Sequence, residues 1–176
     1  MDKFNMILGN KIPLKILRFL MNNPSSEFYE KELIEKLKIS KGSVRKWLIL
    51  LEKMKFILIK RKGRLKIIKI NKENSLVKQI KILNTMFKIV PYLYKEKIDA
   101  EVYLFGSCSR GENDEKSDID ILIIAKNKER STIITKVKKI NKKIKITFYT
   151  PLEWAKAAKK DPAFYERVEK DKIKLI

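Results

Sequence analysis

A Gly-Ser dipeptide separated by ten residues from an Asp-x-Asp pair constrains this chain more than any other feature. Apolar runs over residues 100–106 and 118–125 predict two strands, and the step lies where the first strand ends. Because side chains alternate along a strand, Asp118 and Asp120 are expected on one face while Ile119 turns into the core. The string therefore predicts two carboxylates held beside a glycine-containing turn.

These residue types suit the binding of a phosphate group and a divalent cation. Gly106 has no Cβ, so a phosphate can approach its backbone closely. The Ser107 hydroxyl and the N–H groups after it can donate to an anion, and Arg110 can add a charged contact. Carboxylate oxygens such as those of Asp118 and Asp120 suit Mg²⁺ or Mn²⁺. We therefore predict a nucleotide site at the loop and a metal site at the two aspartates.

The sequence Gly-Ser-Cys-Ser-Arg-Gly at 106–111, followed by Ser-Asp-Ile-Asp at 117–120, resembles the minimal members of the DNA polymerase β-like nucleotidyltransferase superfamily. The resemblance covers residues 90–176. It implies transfer of a nucleotidyl group from a nucleoside triphosphate (NTP), with Mg²⁺, to a hydroxyl group on a protein, a nucleic acid or a small molecule. It also implies that Asp118 and Asp120 are catalytic residues as well as metal ligands.

The next predicted strand, residues 144–149, departs from the family pattern because it contains no acidic residue. The family usually places a third carboxylate there, which completes the metal site and helps to deprotonate the acceptor. Lys145 is the expected matching position, with Thr147 as the other choice. A lysine there would repel Mg²⁺ or form an ion pair with Asp118 or Asp120. A working enzyme and a retired enzyme used as a scaffold both stay open.

The first half of the chain predicts three short helices followed by a β-hairpin. Ser40 is expected to cap the third helix, and a basic tip containing Gly63 separates two β-rich runs. This order is that of a winged helix-turn-helix, and residues 40–57 resemble the recognition-helix region of MarR-like regulators, which usually have glycine at the position of Lys55. The predicted helices span 12–22, 30–38 and 42–54, and the predicted strands span 56–60 and 65–70.

Basic residues are concentrated in this first half, since residues 1–75 contain 19 Lys and Arg against 7 Asp and Glu. Such residues neutralise phosphates, and the second helix of a helix-turn-helix enters the major groove. Double-stranded DNA is therefore an expected partner. The predicted DNA-binding residues lie near the start of the third helix (Lys41, Ser43, Arg45, Lys46) and at the hairpin tip (Lys60, Arg61, Lys62, Arg64).

Together these features predict an α+β protein with an N-terminal winged helix-turn-helix, a connecting helix, and a small C-terminal α/β nucleotidyltransferase-like domain with a mixed sheet. The connector is expected to break at Pro91 and to carry an apolar stripe that packs on its own domain or dimerises. The stripe consists of Leu76, Ile80, Leu83 and Phe87. The predicted bounds are 1–72 for the DNA-binding domain, 73–97 for the connector and 98–176 for the nucleotidyltransferase-like domain.

The second half also predicts a helix over 129–141, a helix from Pro151 and an edge strand over 172–176. No apolar stretch of about 18 residues occurs, so we expect no membrane span and a cytoplasmic protein. The single Cys108 excludes an internal disulfide, and the absence of histidine excludes a Ser-His-Asp triad. The net charge of +21 favours a polyanionic partner.

Three functions stay open. The first is an Mg²⁺-dependent nucleotidyltransferase that its basic domain brings to nucleic acid. The second is a DNA-binding transcriptional regulator whose nucleotidyltransferase-fold domain is catalytically weak or inactive. The third is an antitoxin, since minimal nucleotidyltransferases that resemble the second half often pair with a HEPN-type toxin. A homodimer is also expected, because winged-helix proteins that read DNA are often dimers.

Overall fold

The computed structural model describes residues 3–63 and 65–176, so the predicted DNA contact Arg64 lies outside the described residues. The chain divides into two compact units, one ending at Val77 and the other spanning Lys78–Ile176. Across the described ranges, no helix is both long and apolar enough to cross a membrane.

Among its described residues, the first unit combines helices α1 to α4 with a three-stranded antiparallel sheet of order β1-β3-β2. Ile68 of the central strand pairs with Phe28 on one side and Ile59 on the other, and its side chain is fully buried. The elements are α1 (Lys3–Leu8), α2 (Lys11–Asn22), β1 (Phe28–Tyr29), α3 (Glu30–Leu37), α4 (Lys41–Lys53), β2 (Ile57–Lys62) and β3 (Leu65–Ile70).

Two backbone features define where helix α4 begins and ends. Ser40 caps its start as predicted, because the Ser40 hydroxyl accepts a hydrogen bond from the Ser43 N–H (3.4 Å). After its end, Lys55 has a φ of 57°, in the left-handed region that favours glycine. The Lys55 carbonyl accepts hydrogen bonds from the side-chain amides of Asn71 (2.8 Å) and Asn74 (3.1 Å). These two contacts hold a lysine in a conformation that glycine adopts more easily.

The second unit is built on a four-stranded mixed sheet of order β6-β5-β4-β7. Strands β5 and β6 are parallel, whereas β4 is antiparallel to both β5 and β7. The α+β class and the mixed sheet are thereby confirmed. The elements are α5 (Ser75–Lys95), which begins at the end of the first unit, β4 (Glu101–Phe105), β5 (Ile119–Ile124), α6 (Arg130–Lys138), β6 (Ile144–Tyr149), α7 (Pro151–Lys160), α8 (Pro162–Asp171) and β7 (Ile173–Lys174).

The sheet of the second unit is covered by helices on both faces. On one face, Ile121 of β5 packs in a core that also holds Ile89 of α5 and Val137 of α6. On the other face, Leu122 of β5 packs in a smaller core with Val168 of α8. Because side chains alternate along β5, Asp120 shares the face of Leu122. The aspartates therefore lie at the end of the face that α7 and α8 cover.

Helix α5 does not break at Pro91, which corrects the sequence prediction. Proline removes the hydrogen bond to the carbonyl four residues earlier, here that of Phe87. Pro91 and Phe87 are both exposed, so water can satisfy that carbonyl and the helix continues to Lys95. Helix α8 was not predicted, although Asp161 accepts a hydrogen bond from the Phe164 N–H as its N-cap and proline occupies its first turn.

The segment between β4 and β5 is held against helix α5. Gly111 has a φ of +68°, and a Cβ built on it would lie 2.4 Å from the backbone carbonyl oxygen of Lys78. The buried ammonium of Lys81 donates a hydrogen bond to the carbonyl oxygen of Asn113. The path of the segment that carries the predicted nucleotide loop is therefore fixed by contacts with the α5 helix.

Gly111→Ala is expected to lower the free energy of unfolding by more than about 2 kcal/mol. The new Cβ would clash with the backbone of α5, and alanine is strained at a positive φ. Urea unfolding followed by circular dichroism measures the change. The matched control is Gly42→Ala in the first turn of α4, where an added Cβ meets nothing within 4 Å. That change is expected to be neutral or to stabilise by up to about 1 kcal/mol. Equal stabilities of the two variants would contradict the described backbone.

Candidate active site

Strand β5 places the two aspartates at its start and on one side of the sheet. Asp120 pairs with Phe105 of β4 on one side and with Lys145 of β6 on the other. Ile119 points to the opposite face and is buried in the larger core. Asp118 directly precedes the strand, and both aspartates are half-buried. The alternation expected from the sequence is therefore what the strand displays.

Gly106 follows β4 and lies directly against the carboxylate of Asp120. Its φ is +73°, and a Cβ built on it would lie 2.6 Å from Asp120 Oδ2. A side chain here would strain the backbone and also push the carboxylate away. Glycine therefore lets the loop begin next to the aspartates with nothing between them.

The loop after Gly106 is closed on itself and joined to the aspartate segment. The Ser109 hydroxyl donates to the Gly106 carbonyl (2.8 Å), and Ser107 is half-buried in the turn. The Cys108 thiol donates to the carbonyl of Asp118 (3.3 Å), which fixes the spacing between loop and aspartates. Burial raises the pKa of Cys108 to about 11, so this thiol has a packing role and is not a nucleophile near neutral pH.

A lysine of the protein lies next to the two aspartates and offsets part of their negative charge. Lys145 Nζ lies 2.6 Å from Asp118 Oδ2, and this hydrogen bond raises the pKa of the Lys145 ammonium. Burial, with the nearby charge of Asp118, raises the pKa of Asp120. The three side chains form a compact group in which one ammonium faces two carboxylates.

The strand register puts the two positions considered for a third carboxylate at different points along β5. Lys145 pairs with Asp120, whereas Thr147 pairs with Leu122, two residues further along β5. Lys145 therefore stands beside the aspartates. Thr147 lies two residues further along β6, away from the aspartates.

The residues at this site fit one divalent cation that is shared with a bound substrate. Mg²⁺ is commonly held by one or two carboxylates and completes its octahedron with water and substrate phosphates. Asp118 and Asp120 meet that requirement. Within residues 3–63 and 65–176, no group of three or more acidic, histidine or cysteine side chains could hold a metal ion. A cation that uses the Asp118 oxygen near Lys145 would have to displace the ammonium.

Arg110 links the loop to helix α8. Its Nε donates to Glu112 (2.8 Å) and a terminal guanidinium nitrogen donates to Asp171 (2.6 Å). The Arg110 side chain is 38% exposed, so it is open to solvent on one side. The role in nucleotide binding predicted for Arg110 would require it to exchange one of these carboxylates for a phosphate.

Arg167 on helix α8 is a candidate site residue that the sequence did not reveal. Its positive charge lowers the pKa of Asp120 against the larger raising effect of burial, so it lies within electrostatic reach of the aspartates. The guanidinium lies 5.5 Å from the ring centre of Phe164 and is exposed. Only the Asp161-Pro162 helix start could have pointed to this helix, and no motif marks the arginine.

Those predicted DNA-binding residues that the structure describes lie in the first unit, on α4 and on strand β2. The Ser43 hydroxyl accepts a hydrogen bond from Ser40 (2.9 Å), so it belongs to the helix cap. Arg45 Nε donates to the carboxylate of Glu30 (2.7 Å) while its side chain stays 56% exposed. The remaining basic positions that the structure describes are all exposed: Lys41, Lys46, Lys60, Arg61 and Lys62.

Residues 76–175 match the nucleotidyltransferase domain family. The chain belongs to this family. A protein of Methanocaldococcus jannaschii, provisionally named a protein adenylyltransferase, is 35% identical over 94 residues, which cover 51% of this chain and 91% of that protein. The family match confirms the resemblance stated for the second half of the sequence.

A crystal structure from Sulfolobus solfataricus, provisionally titled a nucleotidyltransferase, also matches. It is 24% identical, and the match covers 57% of this chain and 84% of that chain. Its TM-score is 0.33, which is too low to carry an argument.

Proposed function

We propose that this protein transfers a nucleotidyl group from an NTP to a hydroxyl group, with one Mg²⁺ or Mn²⁺ held by Asp118 and Asp120. The observation that carries the proposal is the contact between Gly106 and the Asp120 carboxylate. It supports the proposal because the loop backbone, which a phosphate could approach, lies next to the carboxylate of a proposed metal ligand. The family assignment supports the reaction class.

In this proposal, different residues of the site bind the phosphates and the cation. The Ser107 hydroxyl and the N–H groups of the loop donate to the phosphates. Asp118 and Asp120 would hold the cation, which would neutralise phosphate charge when bound. Arg110 can add a bidentate phosphate contact if it releases Glu112 or Asp171. In the reaction the acceptor oxygen bonds to the α-phosphorus, its proton passes to solvent, and the bond to the β-phosphate breaks to release pyrophosphate.

We further propose that the NTP is ATP and that the acceptor is a protein hydroxyl. The Methanocaldococcus jannaschii protein supports this choice, because its provisional name is that of a protein adenylyltransferase and the similarity spans 91% of its length. The transferred group would then be AMP.

Lys145 is proposed to occupy the place of the family's third carboxylate. Its position beside Asp120 and its ion pair with Asp118 support this assignment. An ammonium here opposes a divalent cation, whereas a carboxylate would add a ligand. We therefore expect weak metal affinity and slow transfer compared with a site that has three carboxylates.

Asp118→Asn and Asp120→Asn are each expected to lower transfer of label from α-³²P-ATP to protein by at least about 100-fold, because each removes a charged metal ligand. Pyrophosphate release gives a second readout. Glu115→Gln is the matched control, since it makes the same charge change at an exposed acid in the same segment. If wild type and both variants behave alike with Mg²⁺ and with Mn²⁺ for all four NTPs, the proposed reaction is wrong.

Lys145→Asp is expected to tighten Mn²⁺ binding by about tenfold or more, since it replaces an ammonium that repels the cation with a carboxylate that can bind it. Electron paramagnetic resonance of free Mn²⁺ measures this affinity without any turnover. Lys142→Asp, an exposed lysine just before β6, controls for the change in net charge. Equal Mn²⁺ affinity of the two variants would show that Lys145 does not stand at the metal site.

A second function, binding of duplex DNA by the first unit, is also proposed. Helices α3 and α4 would form the helix-turn-helix and strands β2 and β3 the wing of a winged helix. The observation that favours it is the group of three exposed basic residues in the outer half of β2, Lys60, Arg61 and Lys62. Exposed basic residues of this kind can neutralise backbone phosphates.

Replacing Lys60, Arg61 and Lys62 together with alanine is expected to flatten the salt dependence of duplex binding. Three lost phosphate contacts would change the slope of log K against log salt by about 2 to 3. Fluorescence anisotropy with a labelled duplex at several salt concentrations measures the slope. The control replaces three exposed lysines of the second unit, Lys138, Lys139 and Lys142. An equal loss in both triple variants would indicate only a nonspecific charge effect.

A further inference from the structure

Helix α8 contacts both parts of the candidate active site. Phe164, in its first turn, packs edge-on against Phe105, with 6.1 Å between the ring centres. Phe105 is the residue of β4 that pairs with Asp120, and paired residues share one face of a sheet. Asp171, at the other end of the helix, accepts a hydrogen bond from Arg110 of the loop (2.6 Å). The helix therefore touches the surroundings of Asp120 with its first turn and the loop with its last.

Arg167 lies between these two contacts on the same side of α8. Phe164, Arg167 and Asp171 are separated by three and four positions, the spacing that puts side chains on one side of an α-helix. The Arg167 guanidinium lies 5.5 Å from the centre of the Phe164 ring, the ring that packs on Phe105. Burial raises the pKa of Asp120 and the charge of Arg167 opposes that rise, which agrees with this location. The contacts thus place Arg167 on the α8 side of the site.

The charges of the site leave Arg167 available to an anion. Arg110 is paired with two carboxylates, and Lys145 is paired with Asp118. Arg167 is exposed, and no carboxylate in the described part of the chain is close enough to form an ion pair with it. Its guanidinium rests on an aromatic ring, so it is partly oriented before any ligand binds. Arg167 can therefore bind an anion without first releasing a carboxylate.

The surroundings of Arg167 indicate which anion it would meet. The loop begins at Gly106, directly against the Asp120 carboxylate, and its backbone is open to a phosphate. Arg167 lies within electrostatic reach of that same carboxylate. Arginine binds phosphate oxygens through two parallel N–H groups, which makes it the residue type that suits such a ligand. A phosphate chain at the loop would bring its negative charge to this guanidinium.

We propose that Arg167 binds a phosphate group of the NTP, so that α8 supplies a cationic contact from the side of the site opposite Lys145. The contact is to the phosphate chain and not to the base or the ribose. The proposal rests on the proposed nucleotidyl transfer, because it concerns the substrate of that reaction.

Isothermal titration calorimetry of the full chain with ATP and with inorganic tripolyphosphate tests the contact, in EDTA and again with Mg²⁺. Arg167→Ala is expected to raise both dissociation constants by about tenfold or more, because one charge-assisted contact is lost. Arg167→Lys keeps the charge without the planar fork and is expected to restore part of the affinity for both probes. The loss is expected in EDTA as well, because the contact does not depend on the cation.

Arg130→Ala is the matched control. Arg130 is also an exposed arginine of the second unit, and its guanidinium lies 5.1 Å from the centre of the Phe148 ring. Phe148 belongs to the larger core, on the opposite face of the sheet from Asp120. The control therefore removes the same charge and the same kind of ring contact away from the site. It is expected to bind both probes as the wild type does.

Four results would overturn the assignment of Arg167. Unchanged binding of both probes by Arg167→Ala would show that the arginine does not touch the ligand, and the proposed transfer would still stand. A loss for ATP alone would move the contact to the base or the ribose. A loss seen only with Mg²⁺ would mean that Arg167 acts through Asp120 and the cation. Equal losses in the Arg167→Ala and Arg130→Ala variants would indicate only a general effect of charge.

The wild-type chain separates this proposal from the proposed function. If the folded wild type, with native circular dichroism, binds neither ATP nor tripolyphosphate, the nucleotidyl transfer fails and the role of Arg167 fails with it. If the wild type binds both probes and only the Arg167 variants lose affinity, both proposals are supported.

Discussion

Strand β5 pairs in parallel with β6, and this register determines which side chain meets the aspartates. It sets Lys145 beside Asp120, and the ammonium then reaches Asp118 at 2.6 Å. On the other side, antiparallel pairing with β4 ends at Phe105 opposite Asp120, so Gly106 begins the loop against the same carboxylate. Both neighbours of the aspartates thus follow from hydrogen bonding of the central strand. Backbone pairing between strands therefore determines which residues meet at the candidate site, and the side chains of those residues supply its charges.

Local patterns in the sequence predicted the parts of this site that depend on local geometry. Alternation along a strand is enough to place Asp118 and Asp120 on one side and Ile119 in the core. The Ser40 cap likewise depends on residues three positions apart. The sequence favoured Lys145 and kept Thr147 as the other choice, because the match depends on how two strands align across an intervening helix. Arg167 was missed for the same reason, since a fold-level contact brings helix α8 within reach of Asp120.

Pro91 and Lys55 show how the surroundings of a residue can override its local preference. Pro91 predicts a helix break, but it costs α5 one hydrogen bond on a face where water can replace it. Lys55 adopts a left-handed backbone conformation that is less strained for glycine than for lysine. Two asparagine side chains donate hydrogen bonds to its carbonyl and hold it in place. In both cases the residue predicts the position of a change in the backbone. Whether the chain actually turns there depends on contacts that only the folded unit supplies.

The ion pair between Arg110 and Asp171 joins positions that are 61 residues apart. Asp171 is the last residue of α8, a helix that carries no recognisable motif. A substitution at Asp171 would leave the Gly-Ser and Asp-x-Asp strings intact and still release the arginine from its anchor. In related chains, intact Gly-Ser and Asp-x-Asp motifs therefore do not guarantee that the loop arginine is anchored. The residue at the end of α8 has to be compared together with the loop.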